Sequence, residues 1–344
     1  MKILLIYPGA TWSPYDVATG YQSALRALGH EVIAFDYHTQ YKYTDEYLGY
    51  LSQTHGVAFP KDAAVVLASE RIAIAILDMQ PDVILNVMGV ALHRRAYIHA
   101  AMLGVPMAVI LTESPYMDAF QGEMIGKGYV KLAFTNDMIS IGPLAEATGV
   151  PVEYLPHSFD PARHYPHPVG PEFQTDVFFY GTLWPSRDAL FGMLDLSAYA
   201  PRAQVGGTEF IPTSGGEPRT ISNDDMALWY SGTKIALNHH RVEMYQGGTV
   251  GQAYSLGPRA FEIAACGAFQ LCDDARPELH EVFGDTVATY RDGADLQRQI
   301  DYYLAPAHED ERRQMAAAAW ERVQPCSFLE RAKDIVIPGL ERLL

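Results

Sequence analysis

The sequence predicts an α/β protein built from two parallel-sheet domains in series, closed by a helical tail. Three observations carry that expectation. Short apolar runs of the kind that form strands buried on both faces recur along the chain, and helical stretches separate them. The series is interrupted once, by HSFDPARHYPHPVGPEFQ at residues 157–174, which holds four prolines and little apolar periodicity. At 344 residues the chain is also longer than most single cores, so two domains of about 150–170 residues are the natural division.

Each element follows in turn. KILLIYPG is a continuous apolar run stopped by Pro and Gly, and it reads as the first buried strand. SPYDVATGYQSALRALGHEV gives a loop, a helix and Gly29 as its C-cap, before the strand EVIAFDY. Residues 62–79 are helical, PDVILNVMG is a strand, HRRAYIHAAMLG a helix and VPMAVILTES a strand. KLAFTND and VPVEYLP complete the first series. Past the proline-rich stretch the alternation restarts with TDVFFYGT, a helix from about Ser186, RAQVGG, a helix around DDMALWY, and TKIALNHH. Then come helix 258–266, strand AFQLCD, helix 277–283, strand TVATY and helix 293–304, with helices to the end. The expected division is 1–156, a linker at 157–174, 175–324, and a terminal helix at 325–344 packing back on the first domain.

Composition bounds the function. Apolar residues make up 49% and charged residues 19%, as in an ordered globular protein. The net charge of −16, from 41 acids against 25 Lys and Arg, argues against tight binding to bare nucleic acid or an anionic membrane. Three cysteines, Cys266, Cys272 and Cys326, lack paired or metal-ligand spacing and suggest a reducing compartment. MKILLIYPGA is too short for a signal core and no apolar run approaches about 18 residues, so a cytoplasmic protein is expected.

Two motifs carry chemistry. LGPRAFEIAACGAFQLCD, residues 256–273, places Glu262 in an otherwise apolar helix that starts at Gly257-Pro258 and ends at Gly267. A carboxylate there costs several kcal/mol to desolvate unless it is partnered. Arg259, three residues earlier, shares its side of the helix, and free amides at the helix start favour a phosphate. Spacing alone leaves two readings open: a ligand-binding acid, or a structural Arg–Glu pair. DVFFYGTLWPSRDALF, residues 176–191, runs from a strand through Gly181 to Arg187 near a helix start, an arrangement suited to gripping a diphosphate.

Together these motifs resemble the C-terminal domain of GT-B glycosyltransferases, and more closely their CgeB-like (spore maturation protein) group. RAFEIAACGAFQL, ELHEVFGD with DLQRQIDYYL, LPHSFDPARHYP and LNHHR all look like segments of that group, so the likeness covers most of the chain. The resemblance implies two Rossmann-like domains facing a central cleft, and a sugar moved from a nucleotide-diphosphate donor, such as a UDP-sugar, to an acceptor hydroxyl. It implies that Glu262 binds ribose, as the acid before Ala265-Cys266-Gly267. Gly181 and Arg187 would contact the diphosphate with Arg259 and the amides at Gly257. It implies a retaining reaction without metal or cofactor. Two positions depart from the related family 4 enzymes. The second acid eight residues before Glu262 is replaced by Tyr254, and the basic residue after the glycine by Thr182, so one diphosphate cation is missing or replaced by Arg241.

On the acceptor side, Glu113 and Asp118 lie just past a strand end in ILTESPYMD, as a candidate general base or as a turn cap. His93, in MGVALHRR, is a third candidate, or a solvated helix start. PGATWSPYDVATG is a loop placed to cover an acceptor. His239-His240 and Asp273-Asp274 invite a metal reading, but adjacent residues on a strand point to opposite faces, so neither pair chelates easily. No G-x-G-x-x-G follows the first strand, which weakens a nicotinamide dehydrogenase. A GT-B epimerase and a non-catalytic nucleotide-sugar-binding module remain alternatives. The acceptor stays open among glycans, small metabolites and a modified nucleic-acid base.

Overall fold

A computed structural model describes residues 1–7, 14–88, 92–126, 128–199, 203–206, 221–244 and 247–344. Residues 8–13 of the proposed acceptor loop, and 89–91 before His93, lie outside the described residues. The chain divides into two compact units, Met1–Pro156 with Phe328–Leu344, and His157–Ser327. Residues 157–174 therefore group with the second unit rather than forming a separate linker.

Among the described residues the first unit has six strands, β1 (Lys2–Tyr7), β2 (Glu31–Asp36), β3 (Val83–Val87), β4 (Met107–Leu111), β5 (Leu132–Thr135) and β6 (Val152–Tyr154). They pair in parallel in the order β2-β1-β3-β4-β5-β6. Its helices are α1 (Pro14–Ala27), α2 (Tyr37–His55), α3 (Ala63–Met79), α4 (Arg94–Met102), α5 (Asp118–Ile125) and α6 (Ile141–Thr148). Alternate residues of β1 feed opposite cores: Leu4 and Ile6 join Ile72 and Ala96 on one face, Ile3 and Leu5 join Tyr21 and Leu25 on the other. A sheet covered on both faces needs apolar residues at every position, hence the unbroken KILLIY. Helix α2 goes beyond the sequence expectation. YHTQYKYTDEYLGYLSQTH lacks an apolar stripe, and its start is set by Asp36, whose carboxylate accepts from the Thr39 N–H at 3.0 Å.

The second unit has β7 (Thr175–Tyr180), β8 (Ala203–Gly206), β9 (Thr233–Asn238), β10 (Gln270–Asp273) and β11 (Ala288–Tyr290), parallel in the order β11-β10-β9-β7-β8. Helices α7 (Pro185–Phe191), α8 (Asn223–Gly232), α9 (Pro258–Ala265), α10 (Glu278–Phe283), α11 (Gly293–Leu304) and α12 (Glu309–Val323) accompany it. Gly267 ends the α9 turn at φ +71°, a conformation that disfavours other residues.

The terminal segment returns to the first unit, where Phe328, Ala332, Val336 and Leu340 are buried with Ile3, Tyr21 and Phe134. The Phe328 ring lies so close to Gly20 that a Cβ there would sit 2.3 Å from it. This segment is not one regular helix. α13 (Phe328–Arg331) opens into a wide turn in which Ile337 N–H reaches Ala332 O, and α14 (Ile337–Glu341) follows. Pro338 lacks an N–H and its ring crowds the carbonyl four residues back, which accounts for the widening.

Candidate functional site

In the second sheet β7 is flanked by β8 on one side and β9 on the other, so the strand order reverses between β7 and β9. Ligands of open α/β sheets bind outside the carboxyl ends of the strands at such a reversal. Arg187 is located there. Its Nε and Nη2 donate to His239 O at 2.9 and 2.6 Å, just past β9, and its Nη1 donates to Thr182 O at 2.9 Å, just past β7. These bonds hold the guanidinium on two backbone carbonyls at the switch point.

Beside it lies the start of α9, with Gly257 as its extended N-cap. Glu262 is 9% exposed and takes a 2.5 Å hydrogen bond from Arg259 Nη1. Burial pushes its carboxyl upward, but Arg259, with His164 and His157 nearby, outweighs burial and holds it below the usual glutamate range. The pairing explains how α9 tolerates a carboxylate among Phe261, Ile263 and Ala264. Burial in turn pushes the His157 imidazole down to about 4, with Glu262 pulling partly the other way.

Of the other expected donor contacts, Arg241 stacks on Trp184, its guanidinium carbon 4.1 Å from the ring centroid, and its Nε donates to Glu243 O at 2.6 Å. Gly181 follows β7 directly. Tyr254, where related enzymes carry an acid, has its hydroxyl bonded to Glu281, which with burial pushes it up to about 12.

Glu278 and Arg276 escape the sequence reading, which considers Asp273 and His240 only as metal ligands. Asp273, at the end of β10, accepts from His240 N–H at 2.9 Å, bonds His240 Nδ1, and lies 3.1 Å from His239 Nδ1. Burial pushes its carboxyl up, and the two histidines more than reverse that, leaving it well below the usual range. Buried Glu278 accepts from Leu256 N–H at 2.6 Å, and buried Arg276 donates to Arg241 O at 2.8 Å. The expectation that adjacent histidines diverge fails because residues 239 and 240 lie beyond β9, where strand alternation no longer applies. Donor atoms of His240, Cys272 and Asp273 lie within 4.8 Å of one another, close enough for one ion. The same Nδ1 carries the bond to Asp273, however, and burial pushes the Cys272 thiol well above its usual range. An ion would have to displace both a hydrogen bond and a proton.

In the first unit, Asp118 opens α5 just past β4, and its carboxylate accepts from Ser140 Oγ and from Gln121 Nε2 at 3.4 Å. Burial raises its pKa above the usual aspartate value, against the hydroxyls of Ser114 and Ser140. Glu113 N–H donates to Gln121 Oε1 at 3.3 Å, and Glu113 O accepts from Met117 N–H at 3.0 Å. His93 is the N-cap of α4: its Nδ1 accepts from Arg95 N–H at 3.4 Å and its own N–H donates to Ser69 Oγ at 2.8 Å. Asp118 and Glu113 thus share a network through Gln121, and His93 serves a helix start. Met88, at the end of β3, holds φ +70°, uncommon for a side chain of this size. In the second unit a separate cavity, lined by Thr175, Asp176, Ser231 and Lys234, lies at the amino ends of β7 and β9, the other end of that sheet from Arg187.

The architecture of two parallel-sheet domains is the GT-B fold, the class of the solved structures it resembles. Residues 194–335 match the sequence profile of a family described as Glycosyl transferase-like. A glycosyltransferase from Rickettsia africae is similar over 99% of this chain and 98% of that one, with a TM-score of 0.61 and 11% identity. Anabaena HepE, solved in complex with UDP and glucose, is similar over 99% and 100%, with 0.62 and 12%. Sucrose-phosphate synthase from Thermosynechococcus elongatus is similar over 99% and 98%, with 0.60 and 14%. No curated protein sequence matches the chain significantly. Among the described residues no helix is long and apolar enough to cross a membrane.

Proposed function

We propose that the chain is a glycosyltransferase that moves a sugar from a nucleotide-diphosphate sugar, with UDP as the first nucleotide to test, to an acceptor hydroxyl. One observation carries the reading: a single end of the second sheet gathers Arg187 at the strand-order reversal, the start of α9, and the buried, ionised Glu262. That set matches the parts of a nucleoside diphosphate. Glu262 accepts from the ribose diol, and Arg187 with the α9 amides offsets the charge that grows on the diphosphate as the sugar–phosphate bond breaks. The Arg259–Glu262 pair bears on both earlier readings, since Arg259 orients the carboxylate whether or not ribose is bound. The profile match over residues 194–335 and the UDP in HepE support the choice of donor. Retention of configuration and independence from metal belong to the same proposal, as does an acceptor role for the first unit's Glu113 and Asp118.

The test is a thermal-shift panel of UDP-, GDP-, ADP- and dTDP-sugars, followed by an assay of donor hydrolysis without acceptor. One nucleotide should raise the melting temperature, and slow release of nucleotide should follow. No shift with any of the four sinks the donor reading. Binding without turnover would leave only a binding module.

A further inference from the structure

Helices α2 and α3 of the first unit carry an exposed face that the proposed reaction does not use. Tyr43, Tyr47 and Tyr50 recur at helical spacing along α2 and are 68, 57 and 57% exposed. Leu67, Ile74 and Leu77 on α3 are 43, 59 and 60% exposed. The two rows lie on the same side of the helix pair. Gln40 belongs to the tyrosine row, three residues before Tyr43 and seven before Tyr47, and Arg71 lies between Leu67 and Ile74 in the other. Arg71 Nη1 donates to Gln40 Oε1 at 3.0 Å, which joins the rows across the seam between the helices. At about 200 Å² for a whole large side chain, those exposed fractions leave roughly 700 Å² open to water. The largest patch on an ordinary monomer is about 300–600 Å², and each partner of a stable interface buries about 800 Å².

Charge decides what covers this face. Residues 37–79 hold three Lys and Arg against five Asp and Glu, which disfavours an anionic bilayer. Tyrosine with arginine is instead the composition of a protein interface. Exposed Arg71 and Asp78 stand two helical turns apart on one side of α3, with Ile74 between them. A second α3, running antiparallel about a two-fold axis beside Ile74, sets Arg71 of each copy against Asp78 of the other, so the face complements itself. We propose that this face pairs two copies of the chain as an isologous dimer, α3 against α3, with the tyrosines of each α2 as its flanks. The inference does not depend on the proposed reaction.

The test is sedimentation velocity of the full chain over a range of concentrations. The wild type should form a dimer with a dissociation constant of about 10 µM or tighter, as for an interface of standard size. Ile74→Arg should weaken the dimer by about 30-fold or more, the scale of one central contact. Arg71→Asp and Asp78→Arg should each weaken it by about tenfold or more, because each sets like charges together, and the double variant should regain most of the loss. A wild type still monomeric at about 100 µM overturns the proposal. If that monomer sediments with vesicles of phosphatidylcholine and phosphatidylglycerol, the face belongs to a bilayer. A dimer that survives Ile74→Arg unchanged also overturns it, by placing the interface elsewhere. Should Ile74→Arg not fold, the charge variants decide, since both of their positions are exposed. Single charge variants that dimerise as well as the wild type defeat the pairing, and so does a double variant that recovers nothing.

Discussion

The carboxyl ends of the two sheets are built from different chemistry. In the second unit carboxylates are paired with basic side chains, Arg259 with Glu262 and His240 with Asp273, and Arg187 sits on two carbonyls. In the first, the Asp118 carboxyl is surrounded by neutral donors, namely Ser114, Ser140 and Gln121, and Asn136 exchanges two 2.9 Å bonds with the Ser114 backbone. Fixed cations suit a ligand with its own negative charge, such as a diphosphate. A carboxyl whose pKa is raised by burial suits a proton from a neutral hydroxyl. The contrast is what the proposed function expects of a donor end in one unit and an acceptor end in the other.

The largest expected effect breaks the charged end. Arg187→Ala should lower donor hydrolysis or transfer by about 10²–10³-fold, the scale of losing one preorganised charge on a leaving group. A melting temperature near wild type should accompany it, and a fall of less than about threefold in kcat would remove Arg187 from the reaction.

Acid should act selectively on the same unit. The His157 imidazole is pushed down to about 4 from an ordinary value near 6.5, so the unfolded chain binds the extra proton between those values. Stability is therefore full above about pH 6.5 and falls as pH drops toward 4, by up to about 3 kcal/mol. His157→Gln should flatten that slope in urea melts at successive pH values. An unchanged slope would show that other groups carry it. Buried His164 is lowered in the same direction, so a double variant with His164→Gln should flatten it further.

The smallest effect sharpens the contrast from the other side. Glu113→Gln and Asp118→Asn should leave nucleotide affinity within about twofold by calorimetry, because neither belongs to the cationic end. A large loss in either would join the two ends into one donor site and end the division of roles.

How much of this could be read from the sequence depended on distance along the chain. Gly181 and Arg187 lie six residues apart across a strand and a turn, and Arg259 and Glu262 lie within one helical turn, so local spacing exposes both. His240 and Asp273 are 33 residues apart, and they meet only because β9 and β10 are neighbours. Asp118 and Ser140, 22 residues apart, meet in the same way across the ends of neighbouring strands β4 and β5. Helix α2 was missed for another reason: tyrosines replace the apolar stripe, and three of them, Tyr43, Tyr47 and Tyr50, point to solvent. The buried strands were plain throughout, because a sheet covered on both faces leaves unbroken apolar runs.

The most direct measurement of the central claim is calorimetric titration of UDP into the wild type and Glu262→Ala. Two hydrogen bonds from the ribose to a charged carboxylate predict saturable one-to-one binding to the wild type, weakened by about 100-fold or more in the variant. A folded Glu262→Ala protein that binds UDP with wild-type affinity would contradict it, and would leave the Arg259–Glu262 pair as a purely structural bond inside α9.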